Sequence, residues 1–346
     1  MAIIKKVNEN ILNTNLTSIA NAIRDINEST GVLNFPNNFK QEIEKYDSIE
    51  NLIQKSYATG SVYVEGDMIR ECAFVNCQGL TEIHGPNVLK IGSSTTNTIS
   101  GLTDESGYFS FAHCSNLSIV DLPKAEFIGY FAFNSCNSLE AIDFPCALEI
   151  GSYAFAHCTN LSSISIPLVT SIDGGAFRGD NFTSIELPST TYIGSWAFAD
   201  CNNLTSISCP SVISIGVSAF NGSKLTGELS FPNVTTIGGT GFYGCSGITS
   251  ISCPNLTIID DSTFKNCSNL TTISFPSVTQ IRGYNAFSNC TKLSNINLPA
   301  LTTITGLRAF ENCSSIETLS LPSVTSIGTA AFANCTGLKT LNLPEV

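Results

Sequence analysis

The amino-acid sequence predicts a repeat solenoid of the α/β type, with a parallel β-sheet along one face and a small helical module before it. A block of about 22 residues recurs to the end of the chain. Within each block, apolar residues alternate as they do in a strand, whereas residues 1–57 follow a different pattern. A fixed period in this range is typical of solenoids, whose units bury their apolar positions against their neighbours.

One phenylalanine marks the same position in every block. The column consists of Phe74, Phe111, Phe133, Phe155, Phe177, Phe198, Phe220, Phe242, Phe264, Phe287, Phe310 and Phe332. Most steps are 22 residues long, but the step from Phe74 to Phe111 is 37. The longer step predicts a loop insertion near 93–108, whose small polar residues are typical of an exposed loop. We therefore predict a solenoid of about 12 units over residues 58–346.

The first half of each block predicts a strand. Ile296 and Leu298 are two positions apart, so they share the inward face of a strand that begins near Leu293. Pro299 ends the strand because proline has no N–H group for the ladder. The second half has a glycine and apolar residues three to five positions apart. It predicts a short extended piece, a glycine turn and a tight helical turn on the outer side.

Residues 1–57 predict a helical module. One helical face consists of Leu16, Ile19, Ala20, Ile23 and Ile26, and a second consists of Phe39, Ile43, Tyr46, Ile49 and Ile53. The module is expected to cap the first coil or to serve as an attachment segment, because repeat arrays need shielded ends. At the other end, residues 343–346 directly follow a predicted strand. An apolar layer is expected there, which self-association or a further segment would cover.

Composition limits the partners that this chain is expected to bind. The formal net charge is −12, which disfavours nucleic acid and anionic membrane surfaces because both would repel the chain. No segment reaches the roughly 18 uninterrupted apolar residues of a membrane helix, so no membrane insertion is expected. Residues 1–10 lack the apolar core of a secretory signal. A removed signal, another export route and an internal location therefore all stay open.

Ten of the fourteen cysteines stand three residues after the phenylalanine column. They are Cys77, Cys114, Cys136, Cys158, Cys201, Cys245, Cys267, Cys290, Cys313 and Cys335. Asp180 and Ser223 interrupt this column, and the remaining pairing arithmetic disfavours disulfides between neighbouring units. We predict buried, reduced thiols that pack as small apolar side chains. The chain has no Cys-x-x-Cys motif, so no zinc site is predicted.

The unit Ala-Phe-x-x-Cys-x-x-Leu-x-x-Ile-x-Leu-Pro-x-Val-x-x-Ile-Gly resembles the BspA-like (Treponema pallidum type) leucine-rich repeat over residues 66–346. The resemblance implies a right-handed solenoid with a parallel sheet along one face. Members of that family are typically bacterial surface or secreted proteins, some linked to adhesion to host matrix proteins. The resemblance therefore implies binding, and a cell-surface or secreted location.

A second resemblance covers only the start of the chain. Residues 15–24, followed by Gly31 and Phe35-Pro36, are similar to a short helical segment of prophage and tail-associated proteins of Firmicutes. This similarity implies an alternative function, as a structural or receptor-recognition component of a phage-related particle. Tail and baseplate genes beside the coding gene would favour that alternative.

The outward strand face is the main candidate surface for a protein or glycan partner. Its polar ladders include Thr205, Ser206, Ser208, Thr249, Ser250, Ser252, Thr271, Thr272 and Ser274. Protein hot spots favour Trp, Tyr and Arg, which these ladders lack. A solvated sheet without a ligand is therefore the competing interpretation.

Two further positions are candidates for contact with a partner. Arg178, Gly179 and Asp180 form the triplet that many integrins recognise through its opposite charges, and they lie where the cysteine column is interrupted. Trp196 stands two residues before Phe198, where several other blocks have a small or polar residue. Both a core-filling role and an exposed contact are open for this tryptophan.

Catalysis is not predicted. The chain has three histidines, no Gly-x-Ser-x-Gly elbow and no carboxylate pair outside ordinary repeat positions. Residues 239–244 match the letters of the dinucleotide fingerprint, but Phe242 and Cys245 occupy ordinary repeat columns, so no cofactor is expected. The expected function is non-enzymatic binding or adhesion.

Overall fold

The computed structural model describes residues 60–69, 73–92 and 110–346. These residues form stacked coils, and the strands of successive coils pair in parallel. The parallel sheet predicted from the strand phase is therefore confirmed. The predicted helical module over 1–57 and the loop insertion near 93–108 lie outside the described residues.

Each coil contributes one strand of three to six residues to the first sheet face. These strands are β1 (Gly60–Tyr63), β3 (Leu80–His84), β5 (Ile119–Asp121), β7 (Ala141–Asp143), β9 (Ser163–Ser165), β11 (Ser184–Glu186), β13 (Ser206–Ser208), β15 (Thr226–Ser230), β17 (Gly247–Ser252), β19 (Thr272–Ser274), β21 (Asn295–Asn297), β23 (Thr318–Ser320) and β25 (Thr340–Asn342). Their hydrogen-bonded segments are β1-β3-β5, β7-β9, β11-β13, β15-β17-β19-β21 and β23-β25.

A second sheet face is built from two-residue strands in the other half of each coil. These are β2 (Met68–Ile69), β4 (Lys90–Ile91), β6 (Phe127–Ile128), β8 (Glu149–Ile150), β10 (Ser171–Ile172), β12 (Tyr192–Ile193), β14 (Ser214–Ile215), β16 (Thr236–Ile237), β18 (Ile258–Ile259), β20 (Gln280–Ile281), β22 (Thr303–Ile304) and β24 (Ser326–Ile327). They pair in parallel from β2 to β16 and from β18 to β24.

The phenylalanine column forms a continuous stack of rings through the core. Neighbouring ring centroids lie 5.0–5.7 Å apart from Phe74 to Phe332, with nearly parallel planes. Phe74 stacks on Phe111 at 5.0 Å although 37 residues separate them in sequence. The stacked rings therefore connect each coil to the next through the core.

The segment around each phenylalanine does not form the predicted helical turn. Tyr153 and His157, on either side of Phe155, have φ values of 54° and 64°, in the left-handed region. The Phe155 amide donates to Ala176 O in the next coil at 2.8 Å, whereas the Ala156 amide donates back to Tyr153 at 3.2 Å. This alternation of inter-coil bonds and tight turns is incompatible with the i→i−4 bonds of a helix.

The prediction of a helical turn was therefore wrong, and the described residues contain no helix. Left-handed residues recur at the same two positions in coil after coil. Asn266, Asn289, Asn312 and Asn334 all lie two residues after a column phenylalanine, with φ between 56° and 64°. Over the residues that the structure describes, the array is a β-solenoid and not an α/β one.

The described column cysteines are buried, as predicted, and they also donate hydrogen bonds. Each Sγ from Cys114 onward points to the phenylalanine carbonyl of the preceding coil, as in the 3.1 Å contact from Cys136 to Phe111 O. Burial raises the pKa of these thiols, to about 12 for Cys245 and Cys290. The thiols therefore stay protonated at neutral pH and keep the proton that they donate.

Candidate binding surfaces

The predicted serine and threonine ladders lie on the first sheet face. Ser206 in β13 pairs with Ser184, and Ser250 and Ser252 in β17 pair with Thr272 and Ser274. The strand β15 separates the 205–208 group from the 249–274 group. The structure thus places these residues in register along one face but does not gather them into a pocket.

The threonines that precede these strands take part in the stacking of the coils. Thr205 Oγ1 donates to Thr183 O at 3.0 Å, and Thr271 Oγ1 donates to Thr249 O at 2.9 Å. These hydroxyl groups thus add side-chain hydrogen bonds to the backbone bonds between neighbouring coils. Their recurrence in the sequence therefore has a structural reason that is independent of any ligand.

Two aromatic rings, which the sequence interpretation missed, lie at the first coils of this face. Tyr63 is 73% exposed and stacks on His84, with ring centroids 4.8 Å apart. The His84 ring also contacts Asp121 Oδ2 at 3.2 Å and Glu82 Oε2 at 3.3 Å. These hydrogen bonds, first the one to Asp121, raise the pKa of His84. Extending the strand phase to the first two coils would have placed both rings on this face.

The Arg-Gly-Asp triplet does not present both of its charges to solvent. Asp180 is buried, and its Oδ1 accepts a hydrogen bond from the Cys158 amide at 2.9 Å. The Arg178 guanidinium pairs with Asp200, with an Nη2 to Oδ2 distance of 3.0 Å. Integrin recognition through this triplet requires an accessible carboxylate. Because Asp180 is buried, the structure does not support integrin recognition through residues 178–180.

Asp180 occupies the position of a column cysteine, and its second oxygen is unpaired. Oδ2 is buried and has no hydrogen-bond partner among the described residues. Burial raises the pKa of Asp180 well above its usual value, although the bond from the Cys158 amide opposes this shift. The carboxyl group lies near the thiols of Cys158 and Cys201, which offer it no compensating positive charge.

We expect Asp180→Asn to stabilise the protein at neutral pH by about 1–3 kcal/mol, because asparagine removes the buried ionisable group and keeps the oxygen that accepts from the Cys158 amide. Because the native pKa is raised, the native state binds this proton more tightly than the unfolded state does. The stability that the native protein gains from this bound proton is thus fully present below the unfolded pKa of about 3.9. It is lost as the pH rises towards the native pKa. Urea midpoints of both proteins at acid and neutral pH test this.

The variant and the native protein should differ least at acid pH, where Asp180 carries its proton in both states. Asp180→Cys serves as a second variant, because it places at residue 180 the thiol that most other coils have at this position. A stability difference between the native protein and Asp180→Asn that did not change with pH would contradict the expectation.

A third surface lies on the turns that lead from the second sheet to the phenylalanine stack. We define the aromatic turn surface as Tyr130, Phe131, Tyr153, Arg178 and Trp196. Phe131 stacks on Tyr153, with centroids 4.9 Å apart, and Tyr130 contacts Phe131 edge to face at 4.4 Å. The guanidinium of Arg178 lies over the Trp196 ring, 5.1 Å from its centroid. Aromatic and arginine side chains from four successive coils therefore line this surface.

The aromatic residues of this surface adopt an unusual backbone conformation. Phe131, Tyr153 and Trp196 have φ values of 52°, 54° and 62°. A bulky residue in this region is rare and costs about 1–3 kcal/mol. Gly175 holds the same position in the intervening coil, and the Tyr153 ring lies over it, in the space that a side chain at 175 would need.

Trp196 is 37% exposed, which decides between the two roles left open for it. It is a surface residue and does not fill the core. Aligning the blocks on the phenylalanine column would have shown aromatic residues two positions before Phe133, Phe155 and Phe198. The alignment could not have shown that they point outward, because this depends on the sign of φ.

The described part of the chain has no metal-binding cluster and no membrane-spanning helix. Its His, Cys, Asp and Glu side chains form no cluster of three or more that could hold a metal ion. None of its segments is a helix with the length and apolar character needed to span a bilayer.

The stacked coils, the parallel strands and the Leu-x-x-Ile-x-Leu phase define a leucine-rich repeat solenoid. The family model described as the BspA type leucine-rich repeat region, with six copies, matches residues 61–145, 98–201, 170–284 and 235–346. The chain belongs to the BspA-type leucine-rich repeat family. No curated protein matches the chain.

Three solved structures are similar to this chain. A leucine-rich repeat protein from Bacteroides ovatus is 25% identical, with 82% of this chain and 81% of that chain covered and a TM-score of 0.55. A leucine-rich cell surface protein from Faecalibacterium prausnitzii is 24% identical, with 85% and 82% covered and a TM-score of 0.48. A leucine-rich repeat protein from Eubacterium ventriosum is 22% identical, with 84% and 87% covered and a TM-score of 0.47. None of these matches bears on the phage-related role predicted from residues 15–36.

Proposed function

We propose that the protein is a non-enzymatic binding protein of the cell surface, which holds a protein or glycan partner against an exposed face of its solenoid. Proteins of the BspA-type family are typically surface proteins and generally non-enzymatic. Both properties support the proposal without identifying a partner.

The observation that carries the proposal is the alignment of equivalent positions from coil to coil. In the second sheet, Ser171 pairs with Tyr192 and Tyr192 pairs with Ser214, so their side chains form an outward column. The polar columns of the first sheet follow the same rule. Adjacent strands lie about 4.8 Å apart, so each column offers a partner a regular row of contacts. Extended surfaces of this kind are what repeat proteins use for binding.

Binding of the purified full chain to immobilised extracellular matrix proteins and to arrayed glycans tests the proposal. We expect saturable binding to at least one of them, since an aligned face offers many simultaneous contacts. A heat-unfolded sample of the same chain is the control and should not bind, because unfolding destroys the alignment. Absence of saturable binding by the folded chain across the whole panel would contradict the proposed function.

A further inference from the structure

The aromatic turn surface carries the residue types that dominate protein interfaces. Binding energy is concentrated in Trp, Tyr and Arg side chains, and Tyr153, Arg178 and Trp196 supply all three. The serine and threonine ladders of the outward strand face supply none of them. Tyr192, in the strand just before Trp196, is 41% exposed and adds a further aromatic side chain.

Core packing does not require these aromatic residues. Ser218, Thr240 and Ser262 hold the same position in later coils, with φ values of 55°, 58° and 51°. The coils at those residues stack as the earlier ones do, with Phe220 and Phe242 rings 5.2 Å apart. A small polar residue is therefore sufficient for the turn. Residues 131, 153 and 196 are therefore aromatic although the fold does not require it and although the backbone conformation is unfavourable for them.

Two carboxylates lie just before the turns of this surface, Glu149 four residues before Tyr153 and Asp173 two residues before Gly175. Glu149 pairs with Ser171 across the second sheet, and Asp173 follows two residues after Ser171. Burial raises the pKa of both carboxyl groups, and the charge of Asp173 raises that of Glu149 further. Two partly desolvated like charges repel each other, so a cation brought between them by a partner would relieve the repulsion.

The charge of the surface is not balanced by its arginine. Arg178 is already paired with Asp200, with its Nε 3.1 Å from Oδ2. Glu149 and Asp173 therefore leave the surface acidic, in keeping with the formal net charge of −12 for the whole chain. Complementary charge steers association and suppresses unsuitable partners, which favours a basic partner over an acidic or phosphorylated one.

We propose that the aromatic turn surface binds a basic protein segment, in which lysine or arginine side chains alternate with apolar ones. This inference rests on the proposed binding function and assigns a site and a partner class to it. The apolar side chains lie against the rings of Tyr153 and Trp196, and the cations pair with Glu149 and Asp173. Lysine and arginine also gain from contact with exposed aromatic faces.

Trp196 offers a direct measurement, because it is the only tryptophan in the chain. The full chain is titrated with short synthetic peptides in which lysine alternates with leucine or another aliphatic residue, so that the peptides themselves do not fluoresce. The emission of the tryptophan is recorded. We expect a saturable change in emission, since the peptide covers the Trp196 ring. Matched peptides with glutamate in place of every lysine should leave the emission unchanged. Salt should weaken the binding of the lysine peptides, because exposed charges are screened.

Variants locate the site independently of the tryptophan signal, with binding measured by the anisotropy of a labelled lysine peptide. Tyr153→Ser and Trp196→Ser introduce the residue that the same column has at Ser218, so the fold should tolerate them. Each should weaken binding about tenfold or more, as expected for hot-spot aromatic residues. Glu149→Gln should weaken it as well.

Two control variants should bind the peptide as the native chain does. Thr240→Ser changes the same column two coils beyond Trp196, and Ser208→Arg places a bulky group on the outward strand face. Thermal unfolding of every variant shows whether it is folded. A folded Trp196→Ser variant with native affinity for the peptide would overturn the inference.

The remaining outcomes separate this inference from the proposed function. Peptide binding that Ser208→Arg abolishes and Trp196→Ser leaves intact would move the site to the strand face and leave the binding function standing. Binding of arrayed glycans but of no peptide, lost in Trp196→Ser, would overturn the partner class. A folded chain that binds no peptide, matrix protein or glycan would overturn both proposals.

Discussion

Replacing Phe198 by alanine is expected to destabilise the solenoid by about 3–5 kcal/mol, the cost of removing a large aromatic side chain from a packed core. The Phe198 ring is fully buried between those of Phe177 and Phe220, at centroid distances of 5.4 and 5.6 Å. Its loss leaves a cavity that faces both neighbouring coils. Urea unfolding followed by far-UV circular dichroism measures the change.

The position of Phe198 in the middle of the stack adds a second expected result. In a repeat array the stability is a sum of units and nearest-neighbour interfaces, and a central defect weakens the coupling between the two halves. We therefore expect the unfolding transition of Phe198→Ala to broaden or to split into two steps. Phe332→Ala is the matched control, because Phe332 is only partly buried and, among the described rings, stacks only on Phe310, at 5.4 Å. Equal losses for the two variants would contradict the role assigned to the stack.

Replacing Gly238 by alanine should be at least as damaging, by about 3 kcal/mol or more, because the added carbon has no space. A Cβ at residue 238 would lie 2.5 Å from the amide nitrogen of Val217 and 2.8 Å from the carbonyl carbon of Gly216. Both are backbone atoms of the preceding coil. The coil can relieve the overlap only by moving away, which breaks the bond from the Gly238 amide to Ile215 O at 2.8 Å.

Gly66→Ala is the matched control for this prediction. A Cβ at residue 66 would meet no atom within 4 Å, so alanine should be tolerated there. Thermal unfolding of both variants compares the two sites directly. A melting temperature of Gly238→Ala equal to that of Gly66→Ala would contradict the close approach of the coils.

The 22-residue period and its strand phase predicted the parallel sheet, the burial of the cysteine column and the placement of the phenylalanines in one column. These predictions succeeded because a coil contacts only its neighbours, so residues one period apart must meet. Phe177 and Phe198, 21 residues apart in sequence, are in contact for this reason alone. The serine and threonine ladders were placed on one face by the same rule.

The repeat period did not predict the conformation of the turns. Apolar residues three to five positions apart occur both in helical turns and in the left-handed turns found here, so spacing could not separate the two. The sequence showed that Asp180 and Trp196 are exceptions to the repeat. It did not show the direction in which each side chain points. Only the tertiary structure places Asp180 inside and Trp196 outside. The reason is physical: a period determines which residues become neighbours, whereas the sign of φ and the bonds between coils determine which side of the backbone they occupy.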